Sequence, residues 1–177
     1  MAAPTRSGGP DPLTEADTGR AAEDLRRGVR EMFGRSLHIR TVDTGSCAVC
    51  EHEIRLLSAP HYDLHRLGFF FTPAPRHADI LMVTGPAVRA FDVALNKTYE
   101  AMPEPKLVMA VGACALGGVY PSDPIVHGAL DAVLPVDVYV PGCPPSPLAL
   151  LHALLVAVGR LADKVSTMSF VDDGDPP

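Results

Sequence analysis

Cys47, Cys50, Cys114 and Cys143 are the four cysteines of this 177-residue chain. Four thiolates meet the ligand requirement of one four-iron, four-sulfur cluster, [4Fe–4S], or of one structural zinc ion. The run Asp43-Thr44-Gly45-Ser46-Cys47-Ala48-Val49-Cys50 sets the first pair at C-x2-C spacing, which taken alone also suits a thiol–disulfide enzyme. That chemistry leaves Cys114 and Cys143 unused. As a linear pattern the four match neither a paired zinc finger nor the closely spaced cysteines of a small ferredoxin. An iron–sulfur site is the reading favoured over zinc and over non-ligand roles, provided the fold brings the four together.

The elements that must do so are legible as hydrophobic patterns. Residues 37–42, LHIRTV, alternate as a strand, and the compact runs at 79–83, 106–111 and 136–140 read as buried strands. Helical segments are expected at 21–32, 51–57, 87–99, 125–133 and 147–161, with Ser146 capping the last and Pro147 at its first position. Phe69, Phe70 and Phe71 read as a core or subunit contact. Strands separated by helices predict an open, mostly parallel α/β sheet with helices on both faces, flavodoxin-like in type. The expected organisation is a flexible tail over 1–20, one domain over 21–163 and an acidic tail over 164–177.

In such a sheet the loops beyond the carboxyl ends of the strands share one edge. Cys47, Cys114 and Cys143 each follow a predicted strand closely, so residues remote in sequence are expected to converge there. Glycines in these loops, Gly45, Gly112, Gly117, Gly118 and Gly142, allow close backbone approach to sulfur. Pro144 and Pro145 stiffen the approach of Cys143.

Composition narrows the partners. Fifteen Lys and Arg against 21 Asp and Glu leave a formal charge of -6, and without a clustered basic run no nucleic-acid partner is expected. The first 20 residues lack the apolar core of a signal peptide, so cytoplasmic residence is the expectation. The most apolar stretch, LALLHALLVAV, is too short to cross a bilayer. Any membrane anchor must come from a partner.

The segments DTGSCAVCEHEI, APRHAD, ILMVTGP, GACALGG and GCPPSP together resemble the small, electron-transferring subunit of nickel–iron hydrogenases and the homologous 20 kDa cluster subunit of respiratory complex I. The likeness covers nearly all of residues 37–161 and looks closest to the energy-converting, formate hydrogenlyase-like branch. It implies one proximal [4Fe–4S] cluster held by Cys47, Cys50, Cys114 and Cys143 at the interface with a nickel–iron large subunit. It further implies additional iron–sulfur and membrane subunits as partners, and a place on the inner face of the cell membrane through them. The complex I relatives have an adjacent first cysteine pair, whereas Ala48 and Val49 separate it here, which favours the hydrogenase side. Hydrogenase small subunits often carry Gly before the second cysteine, where this chain has Val49. A complex I-like quinone-linked subunit and a zinc-stabilised assembly protein are the alternatives.

Four polar residues complete the candidate site. Glu51 and Glu53 follow Cys50 and are read either as groups for proton transfer near the cluster or as acidic residues favoured in a first helical turn. Arg76 and His77 are read either as positive charge beside a reduced cluster or as members of a surface salt bridge.

Overall fold

The computed structural model describes residues 34–119 and 124–171, with side chains through Lys164, together with Glu23, Arg27 and Val29. The expected helix over 21–32 and the tail over 1–20 therefore lie largely or wholly outside the described residues. The three described positions of that helix are helical, and Val29 is buried.

Five strands form one parallel sheet: β1 (Leu37–Asp43), β2 (Phe69–Phe71), β3 (Ile80–Thr84), β4 (Leu107–Val111) and β5 (Val138–Val140), in the order β2-β1-β3-β4-β5. This is the flavodoxin-like order, with a topological switch between β1 and β3. Among the described residues, helices α1 (Val49–Leu56), α2 (Asp92–Glu100) and α3 (Pro147–Val171) cover it.

Strand alternation divides the core. Ile39, Ile80, Met82, Met109 and Val140 face α1 and α3, where Ile54, Leu150, Leu154 and Ala157 meet them. Leu81, Val83, Val108 and Ala110 face the other way, against Leu95 of α2 and the Leu130 and Leu134 side chains. β3 and β4 are buried at every position, which explains their unbroken apolar runs: a strand covered on both faces has no solvent side to alternate with. Each fully buried aliphatic side chain contributes about 1.5–3 kcal/mol.

Two buried charges fix the crossovers. Asp79 accepts both guanidinium nitrogens of Arg35, at 2.6 and 3.1 Å, and the His38 backbone N–H at 2.8 Å. Lys106 donates to the carbonyls of Tyr99 and Met102, pairs with Glu104 at 3.1 Å and lies 4.1 Å from the centre of the Tyr99 ring.

The structure departs from the sequence pattern at four places. Phe69–Phe71 form an additional edge strand, paired to β1. Residues 125–133 are not a helix. Val126 and Ala129 instead make isolated antiparallel bridges to Val88 and Leu116, Gly128 takes φ 88°, and only Leu130–Ala132 closes a 3-10 turn. The Val88 bridge also holds residue 88 extended, so α2 starts at Asp92 after a 3-10 turn at Arg89–Phe91 rather than at residue 87. Finally, α3 continues past residue 161 to Val171, and Lys164 ties it to Asp137 at 2.8 Å and to the Lys106 carbonyl at 2.9 Å. Among the described residues no helix is long and apolar enough to cross a membrane.

Candidate metal centre

Register aligns the anchors of the cysteine loops. Asp43 pairs with Thr84, Thr84 with Val111, and Val111 with Val140, so one row of the sheet ends β1, β3, β4 and β5 together. Cys47 and Cys50 follow Asp43, Cys114 follows Val111, and Cys143 follows Val140. All four leave the same edge.

Each loop is locally fixed. The Asp43 carboxylate accepts the N–H groups of Gly45 and Ser46, at 2.9 and 2.6 Å, which turns the chain before Cys47. Ala48, with φ 66°, opens α1 and sets Cys50 inside its first turn. The Gly112 N–H donates to the Val140 carbonyl at 2.9 Å and the Ala113 N–H to the Gly142 carbonyl at 2.7 Å, tying the Cys114 loop to the Cys143 loop. Ser146 accepts the Ala149 N–H at 3.3 Å, the helix cap expected for α3.

Gly112 links three of the cysteine segments. Its φ is 89°, and a Cβ placed there would stand 2.7 Å from the Cys50 Sγ and 3.6 Å from the Gly142 carbonyl oxygen. Only a residue without a side chain leaves that sulfur its place.

Cys50 and Cys114 register burial and their neighbours. Burial pushes the Cys50 thiol up to about 11, and the neighbouring Glu51, Cys114, Cys47 and Cys143 push it the same way. Burial also raises Cys114, reinforced by Cys143 and Cys47. Four thiolates gathered at one edge would require cationic compensation, which metal atoms supply. The donor set is all sulfur, and Gly112 leaves space beside one of its members, so the residues fit an iron–sulfur group. Among the described residues no three His, Cys, Asp or Glu side chains stand where one metal ion would be held. Cys50 is buried, Cys114 half-buried, and Cys47 and Cys143 exposed. The site is closed on the core side and open outward.

Glu51 lies behind this edge. Its Oε1 accepts the Ser46 hydroxyl at 2.8 Å and the Thr84 hydroxyl, while its buried Oε2 has no hydrogen-bond partner among the described residues. The carboxylate borders a largely apolar cavity of about 560 Å³, lined in part by Val42, Ile54, Arg55, Phe71 and Thr84. Ser46 and Thr84, the two hydroxyls that aim Glu51, carry no chemical signature of their own in the sequence. The one available sign was a polar residue closing the buried run ILMVT.

The remaining predicted site residues are placed less favourably. Glu53 is half-buried on α1. Arg76 and His77 are exposed in the Pro75–His77 turn that leads into the amino end of β3. In a parallel sheet that is the edge opposite the cysteine loops, and the structure does not bring these two residues to the thiols.

Residues 47–157 match the family described as NADH ubiquinone oxidoreductase, 20 Kd subunit. The chain is similar to the probable membrane-bound hydrogenase subunit mbhJ of Pyrococcus furiosus, with 43% identity over 136 residues, covering 76% of this chain and 81% of that protein. It is similar to an NADH-quinone oxidoreductase subunit of Geobacter metallireducens, with 44% identity over 123 residues and 69% of each chain covered. Among solved structures, a chain of the membrane-bound sulfane sulfur reductase, an archaeal respiratory membrane complex, superposes with a TM-score of 0.64 at 31% identity, covering 80% of this chain and 77% of that one.

Proposed function

The chain belongs to the NADH ubiquinone oxidoreductase 20 kDa subunit family, and on that premise we propose that it is the non-catalytic electron-transfer subunit of a membrane-associated nickel–iron hydrogenase complex. Cys47, Cys50, Cys114 and Cys143 hold one proximal [4Fe–4S] cluster. The observation that carries this reading is the convergence of the three cysteine-bearing segments at one sheet edge, with Gly112 presenting no side chain to the Cys50 sulfur. When bound, the cluster supplies one-electron exchange between a large-subunit active site and further redox subunits.

This chain's own residues determine the environment. Cys50, buried against the sheet, excludes water from the inner side of the site, while exposed Cys47 and Cys143 leave an outer side that a large subunit covers. The separated pair Cys47 and Cys50 favours the hydrogenase branch over the quinone-linked one. Partner subunits supply the anchor and hold the chain on the inner face of the membrane.

The test is anaerobic purification of the native complex with iron, acid-labile sulfide, nickel and zinc analysis, followed by assays with hydrogen, sulfane sulfur and quinone. Nickel in a co-purifying subunit with hydrogen turnover, and loss or conversion of the cluster in Cys114→Ala, are the expected results. Quinone reduction without nickel assigns the chain to the complex I-like branch, and sulfane sulfur reduction without hydrogen turnover removes the hydrogenase assignment. A colourless protein with one zinc and no sulfide overturns the cluster.

A further inference from the structure

The sheet ends at β5, and nothing among the described residues pairs with its outer edge. The Gly112 N–H donates to the Val140 carbonyl, so residue 140 directs its backbone groups toward β4. By strand alternation the N–H and C=O of Tyr139 point away from the sheet. One free donor and one free acceptor on the same residue are what an added strand engages.

Beside this edge runs a groove of about 460 Å³, bounded by residues 137–141 on one side and by α3 on the other. The α3 wall presents His152, Val156 and Arg160, spaced at i, i+4 and i+8 and therefore on one stripe of the helix. All three are exposed, Val156 by 51%. A long helix that buries its other faces has left an apolar residue between two nitrogen-bearing ones, open to solvent along an open strand.

Charge selects the occupant. Asp137, the one carboxylate among the described residues that line the groove, is committed to Lys164 at 2.8 Å and to the Val108 N–H at 2.9 Å. Arg160 makes no hydrogen bond or ion pair with a described residue. In a chain of formal charge -6, the groove thus carries an unmatched positive charge. A second copy of this chain pairing edge to edge about a two-fold axis would set like groups against like, which is unfavourable.

We propose that the groove between β5 and α3 takes an extended segment of another subunit, which pairs with the Tyr139 backbone, lays an apolar side chain on Val156 and places a carboxylate against Arg160. This rests on the reading of the chain as a subunit of a larger complex. It adds a docking surface along the side of the sheet, reaching Pro141 next to the Cys143 loop.

The experiment uses the purified complex. Tyr139→Pro removes the outward N–H without breaking the ladder to β4, and Tyr139→Ala controls for the lost ring. The proline variant is expected to retain its partner at least about tenfold less well than the alanine variant, with unchanged iron and sulfide per chain. In the unmodified complex the Tyr139 amide should exchange with solvent at least about 100-fold slower than a free amide. A photo-cross-linker at Val156 should capture a segment of a different subunit that carries Asp or Glu, and Arg160→Glu should reduce that capture. Rapid Tyr139 exchange in a complex that still contains its partners overturns the docking proposal and leaves the proposed function standing, as does equal retention in the two Tyr139 variants. Capture of this chain's own peptide overturns the heterologous pairing. If no other subunit co-purifies at all, the proposed function itself fails.

Discussion

Replacing Gly112 by alanine separates backbone strain from crowding at the sulfur site, because the chain contains its own control. Gly112 and Gly128 have nearly the same φ, 89° and 88°, yet a Cβ at Gly128 would meet nothing within 4 Å among the described residues while one at Gly112 would stand 2.7 Å from the Cys50 Sγ. Both substitutions force an L-residue into the left-handed region at about 1–2 kcal/mol. Gly112→Ala adds overpacking worth about 1–3 kcal/mol. For a chain of this length 1 kcal/mol moves the melting temperature by about 2–4 °C, so Gly112→Ala should melt about 2–12 °C below Gly128→Ala. The crowded atom is a proposed ligand, so iron and sulfide per chain should fall in Gly112→Ala and stay full in Gly128→Ala. Thermal melts of the two purified variants, followed by metal and sulfide analysis, read both quantities. Equal melting temperatures with full cluster content in both would refute the placement of Gly112 against the Cys50 thiol.

Cys50 and Glu51, at the same edge, carry three further predictions. In the metal-free protein Cys50 should alkylate slowest of the four, since a rise from 9.0 to about 11 lowers its thiolate fraction about 100-fold near neutral pH. Its labelling rate, read by mass spectrometry, should climb about tenfold per pH unit up to about 11, and a plateau near pH 9 would count against the burial described. The folded value lies above the unfolded one, so the stability this thiol contributes to the metal-free fold is fully present below pH 9 and lost as pH rises from 9 toward 11. For Glu51, alanine strips the acceptor from the Ser46 and Thr84 hydroxyls and should cost about 1–3 kcal/mol in denaturant unfolding. Glutamine keeps that oxygen and should stay within about 1 kcal/mol of the parent.

The parts of the fold legible in sequence were those governed by burial alone. β3 and β4 are apolar at every position because both faces are covered, and α3 announces itself by Ser146 and Pro147 ahead of a long apolar stretch. β2 escaped because three phenylalanines between Gly68 and Thr72 have no room to show a period, and their strand character comes from pairing with Leu37, His38 and Ile39. Residues 125–133 carry apolar side chains at helical spacing, but Gly128 in the left-handed region and the bridges from Val88 and Leu116 hold the segment extended. Tertiary partners outvoted local pattern there. The convergence of the cysteines was readable because residues after parallel strands share an edge. The same rule places Arg76 and His77, which precede a strand, at the other end of the sheet. Their nearness to the thiols was suggested by charge, not topology.

The row that joins Asp43, Thr84, Val111 and Val140 has a consequence for electron transfer itself. The speed of a one-electron hop depends on how far atoms must relax when charge arrives, the reorganisation energy. Loops hung independently on mobile supports would relax in different directions and raise that energy. Here the thiol-bearing loops start from adjacent positions of one hydrogen-bonded lattice with cores on both faces, so they share a rigid frame. A redox group held by them would gain or lose an electron with little movement of its ligands, and the barrier would be low in either direction of flow.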